Sequence, residues 1–358
     1  MHTSQRSSAV EQRIHKPSVR GSIPLAGTLM NKKRVLSGIR ATGRLHLGNY
    51  LGAVKGMVEL QNNPIYETLY MVADLHAITT PYDKKELAKN AKEVVLDYLA
   101  AGLDPTKSVI FIQSQVPEHT ELAYFFSTAI SVARLNHLPT YKEKVAQYPK
   151  NVTVALLNYP VLMAADILAY KAFLVPVGID QEPHLEIARE IARKMNSEYE
   201  TDFPEPQRFK TSGEYIPSLT GEGKMSKSVA GSFINLTDDL KTIEAKLAKA
   251  PTDSGKGKEI PTEGGVASLL QLVDIFEGSE KRKEYDGQYI SVGIKYSELK
   301  TELASAIYEE LKPIQERRKK LEKDSKYVDG ILEDGAKKAR KLAQETLVEV
   351  KEKMGLNG

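Results

Sequence analysis

KRVLSGIRATGRLHLGNY, residues 33–50, is the stretch from which the rest of the chain can be read. Val35 and Leu36 make a short apolar run of the kind that forms a buried strand. Gly38 and Gly43 follow, residues that permit a sharp turn or a close approach to a ligand. After His46-Leu47-Gly48-Asn49, the apolar positions Leu47, Leu51, Val54 and Val58 recur at helical spacing. A strand therefore turns into a helix with polar side chains on its first turn. Free N–H groups and the helix dipole make such a terminus a site for anions. A histidine and an asparagine add side-chain donors. Spacing alone leaves two readings open, a phosphate-binding turn and an ordinary strand–helix connection with a solvated histidine.

Outward from this turn the pattern alternates. It predicts strands over 68–73, 108–113 and 173–177, and helices over 85–101, 118–132 and 183–195. The first of these helices carries Leu87, Ala91, Val94 and Tyr98 on one face, with Gly102 past its end. Such alternation predicts an α/β fold with a Rossmann-like parallel sheet covered on both faces. Ligands then bind beyond the carboxyl ends of the strands, where His46, His76 and the run 178–181 should converge. Residues 134–170 interrupt the alternation with an apolar helix over 159–170, readable as a surface insertion or as a dimer interface. Residues 203–223 are rich in Pro, Gly and Ser and read as loop. Helices are predicted over 238–250, 265–276, 295–323 and 328–354. The expected organisation is a catalytic domain over 30–232 and a C-terminal α-helical domain over 233–358.

Composition narrows the classes. The chain has 358 residues, 41% hydrophobic and 27% charged, which is ordinary for a globular protein. No apolar run approaches the roughly 18 residues of a membrane span, so no membrane partner is expected. Absence of cysteine excludes disulfides and thiolate metal sites and fits a reducing cytoplasm. The net charge of +3 resides in residues 1–29, so the rest of the chain sums to zero. That basic, acid-poor segment has few arginines and no amphipathic face. It reads better as a disordered extension before a start at Met30 than as an organellar import signal. Basic clusters at 281–283, 317–320 and 337–341 read as solvated helix faces.

A second stretch, GEGKMSKS (221–228), sets two lysines and two serines on a Gly-flanked loop. Lysine is a compact charge on a flexible stem, suited to following a phosphate. There is no GxxxxGK[ST] run, which argues against a Walker-type nucleotide hydrolase. The two stretches together resemble class I aminoacyl-tRNA synthetases. His46–Asn49 stands at their HIGH position, and Lys224–Ser228 matches their KMSKS loop without a change. Within that class the chain is most similar to the tryptophanyl family, over about residues 33–357. The resemblance rests on SGI (37–39), GNY (48–50), DLHAIT (74–79), YKEK (141–144), YPVLMAADIL (159–168), VPVGIDQEPH (175–184) and LKPIQER (311–317). Asn49 in place of the last histidine of HIGH is usual among tryptophanyl enzymes. Arg40 stands where the family commonly carries Gln, and a guanidinium there gives a charged bond to a carboxylate or to ATP.

The resemblance implies a tryptophan–tRNA ligase. L-Tryptophan would attack the α-phosphate of ATP, with Mg2+ on the phosphates, and then pass to the 3' end of tRNA(Trp). The attacking carboxylate is already ionised at pH 7, so charge stabilisation replaces a general base. His46, Asn49, Lys224, Lys227 and Lys144 would be the catalytic donors. ATP would also meet Arg40, Thr42, Gly43, Gly48, Gly178, Asp180, Met225, Ser226 and Ser228. Tryptophan would lie among Leu36, Gly38, His76, Tyr159, Met163, Asp166, Val175, Val177 and Gln181. Tyr159 and Gln181 would take its ammonium and Asp166 its indole N–H. Met163, Val175 and Val177 read as core packing from spacing alone. No protein-bound structural metal is expected. A homodimer is implied, with tRNA lying across both subunits and its anticodon read by the helical domain. A paralogue that only binds tRNA or nucleotide is the competing reading. A small HIGH-type adenylyltransferase is opposed by the size of the chain and its second domain.

Overall fold

The computed structural model describes residues 32–356 apart from Ser212, Glu214 and Ser228. The expectations for residues 1–29 and for Ser228 lie outside the described residues. From Lys32 onward the chain forms one compact unit. Its strands are β1 (Lys33–Arg40), β2 (Tyr66–Ala73), β3 (Ser108–Ile112), β4 (Leu174–Pro176) and β5 (Gln207–Phe209). The helices that connect them are α1 (Leu47–Asn49), α2 (Lys55–Gln61), α3 (Asp74–Ala77), α4 (Leu87–Ala101), α5 (Glu118–Ser127), α6 (Val132–Asn136), α7 (Pro139–Gln147), α8 (Val154–Leu168) and α9 (Glu182–Tyr199). A C-terminal series follows: α10 (Leu240–Ala248), α11 (Gly264–Phe276), α12 (Ser279–Ile290), α13 (Tyr296–Lys323) and α14 (Ser325–Lys353).

All five strands are parallel, in the order β3-β2-β1-β4-β5. Side chains alternate across a strand, and here the alternation divides the core in two. Val35, Tyr70, Val72 and Ile110 face a cluster with α2, α4 and the helices α10, α11 and α13. Leu36, Leu69, Met71 and Phe111 face the other, with α5, α8, α9 and part of α14. The strand order reverses between β1 and β4. They share one register pair, Val35↔Leu174, and the Ser37 hydroxyl donates to the Pro176 carbonyl at 2.7 Å. A crevice at the carboxyl ends is the expected ligand site of such a sheet.

Several expectations change. β5 falls within the stretch read as loop. It is three residues long, preceded by Pro204 and Pro206 and without an apolar run, so no periodicity marks it. The helix expected over 118–132 ends at Ser127, and α6 begins after Ser131, whose hydroxyl accepts from Arg134 N–H. α12 was not expected; its residues are almost wholly polar. There Lys281 pairs with Glu284 and Glu302, Arg282 with Asp286 and Lys283 with Glu280. The cluster at 317–320 is no simple solvated face, because Arg318 is 2% exposed. Within 134–170, α8 is a core helix, capped by the Thr153 hydroxyl on Leu156 N–H and carrying Pro160 inside it. Helix α14 covers the free edge of β3 so closely that a Cβ on Gly335 would lie 1.8 Å from the Ile110 carbonyl oxygen.

Candidate active site

β1 ends at Arg40 and the chain turns at Gly43, whose φ of +87° is a left-handed conformation suited to glycine. Leu45 N–H then donates to Asp97 Oδ2 at 2.6 Å. His46 is extended (φ −110°, ψ 170°) and stands at the N-cap of α1. Its backbone N–H donates to Asn49 Oδ1 at 3.3 Å, which leaves the Asn49 amide nitrogen as that side chain's donor. A Cβ on Gly48 would fall 2.8 Å from His46 Cε1 and 3.3 Å from Met225 Cβ. Glycine here lets the imidazole and the second motif lie over the helix start. The helix then widens into a π turn at Tyr50–Val54, and the Thr211 hydroxyl donates to its Gly52 carbonyl at 2.7 Å. The His46 ring is buried, and its Nδ1 has no partner among the described residues. Burial, and then the charge of Lys227, push its pKa down to about 4. At neutral pH it is an uncharged ring with an unspent nitrogen.

The lysine loop reaches the same place. Met225 is buried and its N–H donates to the Ile216 carbonyl at 2.9 Å. Ser232 Oγ accepts from Ser226 N–H at 3.2 Å and donates to the Ser226 carbonyl at 2.6 Å. Lys227 Nζ donates to the carbonyls of Thr42 at 2.9 Å and Gly43 at 3.0 Å. Burial pushes its pKa down to about 8, with the Asp97 charge resisting. Beyond the loop, the chain runs antiparallel to the first motif. His46 pairs with Asn235, Leu47 N–H donates to the Ile234 carbonyl at 2.9 Å, and Leu236 N–H donates to that of Leu45 at 3.0 Å. Two stretches far apart in sequence are thus held by backbone bonds.

Across the crevice, Lys224 Nζ lies 3.3 Å from Asp180 Oδ1. Burial would raise the Asp180 pKa, but the Gln181 amide and Lys224 hold it below the ordinary carboxylate range. Gly178 is again a close approach, since a Cβ there would meet Asp180 Oδ1 at 2.5 Å. Arg40 Nη2 donates to Thr80 Oγ1 at 2.9 Å, while its buried Nε has no partner among the described residues. Burial lowers the Arg40 pKa. Burial, then the nearby Arg40 charge, lower that of Lys144, whose Nζ donates to Gln147 Oε1 at 2.8 Å. A buried, unpaired donor costs about 1–3 kcal/mol, and two neighbouring cations repel. An anion between them would relieve both.

Deeper along the same edge lies a network around two buried residues, His184 and Asp166. His184 Nδ1 lies 3.0 Å from Gln181 Oε1, and its Nε2 meets Thr140 Oγ1 at 2.7 Å and the Tyr159 hydroxyl in a short bond. Burial and then His76 push its pKa down to about 4. The neutral ring therefore donates to Gln181 and accepts from a hydroxyl. Asp166, on α8, is fully buried. Its oxygens accept from His76 Nε2 at 2.7 Å and from Gln113 Nε2 at 2.8 and 2.9 Å. His119 Nδ1 stands 2.9 Å away, out of hydrogen-bond alignment. Burial would raise its pKa, but His119 and His76 hold it below the ordinary range. Leu36 and Val175 are buried here, with Met163 and Val177 partly buried in the same cluster.

The structure therefore gathers the first motif and the lysine loop at the end of β1. It links them through Lys224 and Asp180 to the end of β4. His76 and Tyr159, with ring centroids 6.1 Å apart, join that edge to Asp166. Sequence reasoning assigned no role to Gln113, His119, Thr140 or His184. Gln113 was detectable as the last residue of a predicted strand, at the edge where ligands bind. His184 stood inside a quoted motif. His119 and Thr140 carried no signal. Among the described residues, no group of three or more His, Asp or Glu could hold a metal ion. A cleft of about 670 Å³ beside α14, lined by Lys337, Arg340 and Lys341, contains none of the expected site residues.

Comparison with known proteins bears on this geometry. The family described as class I tRNA synthetases (W and Y) matches residues 30–312. The tryptophan–tRNA ligase of Porphyromonas gingivalis is 40% identical over 327 residues, covering 90% of this chain and 98% of that protein. Its counterpart in Helicobacter pylori strain 26695 is 42% identical over 332 residues, covering 91% and 100%. Among solved structures, the tryptophanyl-tRNA synthetase of Campylobacter jejuni complexed with ADP and tryptophan aligns with a TM-score of 0.77 at 35% identity, covering 90% of this chain and 100% of that one. The Mycoplasma pneumoniae tryptophanyl-tRNA synthetase aligns with a TM-score of 0.79 at 31% identity, covering 91% and 98%.

Proposed function

This chain belongs to the class I tRNA synthetases for tryptophan and tyrosine, and on that premise we propose how its own residues carry out the reaction. The activity is that of a tryptophan–tRNA ligase. L-Tryptophan is activated with ATP to tryptophanyl-adenylate and pyrophosphate, then transferred to the 3' end of its tRNA. In the first step a carboxylate oxygen of tryptophan bonds to the α-phosphorus while the bond to the bridging oxygen breaks. Pyrophosphate leaves with the electron pair. The work left to the protein is positioning and charge stabilisation.

His46 and Asn49 donate to phosphate oxygens at the helix start. Neutral His46 does so as a dipole, without competing with Lys227 for charge. Lys227 leaves the Thr42 and Gly43 carbonyls to follow the departing pyrophosphate, and Lys224 leaves Asp180 to join it. Met225 and Ser226 set the loop's path, and Thr42, Gly43, Gly48 and Gly178 admit the nucleotide close to the backbone. Arg40 and Lys144 take the anion that their unpaired and repelling charges await. Mg2+ would arrive with ATP as part of the substrate and would offset charge on the phosphates. Tyr159 and Gln181, both held by His184, take the ammonium. Asp166 accepts the indole N–H by giving up part of its contact with Gln113. His76, Met163, Val175, Val177, Leu36 and Gly38 shape that pocket.

We read the helices beyond residue 232 as the anticodon-binding part, and the chain as a cytoplasmic homodimer with tRNA lying across both subunits. Tyr124, Val132 and Val154, on α5, α6 and α8, are 73%, 62% and 81% exposed and supply an apolar surface for such pairing. No described helix is long and apolar enough to cross a membrane. The observation that carries the catalytic reading is the backbone pairing of 45–47 with 234–236, which brings Lys227 onto the turn before His46. Tryptophan-dependent exchange of labelled pyrophosphate into ATP tests it. Folded protein that binds ATP without exchange would instead be a nucleotide-binding paralogue.

A further inference from the structure

Helix α13 belongs to the C-terminal series, yet it grips both halves of the paired motifs. Gln315 Nε2 donates to the carbonyls of Leu236 and Asp238, each at 2.9 Å, and so holds the end of the segment that follows the lysine loop. Arg318 holds the other half. Its guanidinium is 2% exposed. Nη1 donates to the Glu93 carbonyl at 3.2 Å and, in a short bond, to Asp97 Oδ1. Nη2 makes a short bond to Glu93 Oε2, and Nε donates to Glu322 Oε1 at 2.9 Å. Glu93 Oε2 also accepts from Arg44 Nε at 2.8 Å. Asp97 has no exposed surface, and its second oxygen accepts the N–H of Leu45, the residue before His46.

We propose that Arg318 is a positioning residue for adenylate formation: it anchors Asp97 on Leu45 N–H and so fixes the turn that presents His46 and the carbonyls beneath Lys227. A buried carboxylate keeps its charge only with a cation and hydrogen bonds around it. Burial already pushes the Asp97 pKa up to about 6 against the opposing pull of Arg318 and Leu45 N–H. Only a planar fork meets Asp97, the Glu93 carbonyl, the Glu93 carboxylate and Glu322 together; the ammonium of lysine is a single point. Without the fork, Asp97 loses its orientation, and the turn loses the bond that sets its depth. A displacement on the order of 1 Å at a phosphate-binding turn costs up to about 10²-fold in rate. Tryptophan binds on the far side of β1 and is left nearly untouched.

The test uses the full-length protein and pyrophosphate exchange, with kcat expressed per active site titrated by adenylate formation. Arg318→Lys and Asp97→Asn should each lower kcat by about 10-fold or more, with KM for tryptophan within threefold. An asparagine at 97 cannot offer an oxygen to both Arg318 and Leu45, so one donor faces another. Adding Arg318→Met to Asp97→Asn frees the amide oxygen for Leu45 and should recover part of the lost kcat. A stabilising role alone changes the melting temperature and the titrated fraction but not kcat per site. Arg318→Lys and Asp97→Asn both within twofold of wild type would overturn the inference. If Arg318→Lys does not fold, recovery in the double variant decides, and its absence overturns the inference. The proposal rests on the reading of His46 and Lys227 as phosphate-binding groups. Failure of that reading shows separately, as normal exchange in His46→Ala and Lys227→Ala.

Discussion

Lys227 is the residue whose environment most constrains the chemistry. Lys227→Ala should lower the exchange kcat by about 10²-fold or more and leave tryptophan binding within a few-fold. The chain contains no tryptophan, so the emission of bound substrate reports that binding against tyrosine alone. With a folded pKa of about 8, Lys227 loses its charge as pH rises through that value. Wild-type kcat/KM for ATP should therefore fall on the alkaline side, and Lys227→Ala should lack that limb. Asp166 calls for a conservative variant. Removing the carboxylate leaves His76 and Gln113 donors unpaired, a loss of about 1–3 kcal/mol for each, which would mask any effect on specificity. Asp166→Asn keeps the shape. It should lower kcat/KM for tryptophan roughly 10–150-fold and erode discrimination against phenylalanine. An unchanged tryptophan-to-phenylalanine ratio would remove Asp166 from the pocket. The sequence made Asp166 a candidate only through the family resemblance. It could not show His119 and Gln113, which come from distant elements and meet Asp166 only through the packing of α5 and α8 against the sheet.

Among elements, the join between β3 and α14 gives the cleanest contrast. Gly335→Ala would press a methyl onto the Ile110 backbone, which cannot yield as a side-chain end would. It should destabilise the protein by about 1–3 kcal/mol or more. Gly330→Ala, on the same helix in open space, should be neutral or stabilising by up to about 1 kcal/mol, through helix propensity. Urea unfolding of the pair measures both, and equal effects would contradict the close packing. The longer elements were legible because their apolar residues repeat at a fixed period. β2 to β4 and α4, α9, α13 and α14 were anticipated to within a few residues, whereas β1 runs on through Gly38 to Arg40, past the short apolar run that marked it. What escaped were elements made by their surroundings. β5 is a strand only because β4 offers it an edge, and α12 is a mostly polar helix anchored by Tyr285 and Tyr289, which are buried in the core cluster. The antiparallel seam between 45–47 and 234–236 escaped for the same reason: its bonds are backbone bonds, and side-chain patterns do not report them.

At the scale of the molecule, acid should weaken the fold. His46 and His184 titrate near 4 when folded and near 6.5 when unfolded. Between those values the unfolded chain binds more protons, so the histidines' contribution falls as pH drops from about 6.5 and is fully lost below about 4, where the lowered Asp166 and Asp180 continue the decline. Asp97, raised to about 6, works in the opposite direction below that pH, and the net loss should be a few kcal/mol, on the order of one pKa unit per 1.4 kcal/mol. Calorimetry across this range checks the sign, and a His184→Gln variant should show a shallower decline. Sedimentation should find a dimer that Val154→Asp weakens; an unchanged assembly would place the interface elsewhere. The position of α14 has a consequence for synthesis. The edge strand it covers leaves the ribosome early, and the helix that shields it is the last long element to follow. At about 5–20 residues per second, the nascent sheet waits on the order of 10–40 s with one border open to any other strand. Translation speed over the second half of the message, and chaperones that hold that border meanwhile, then determine how much of each batch of chains avoids aggregation.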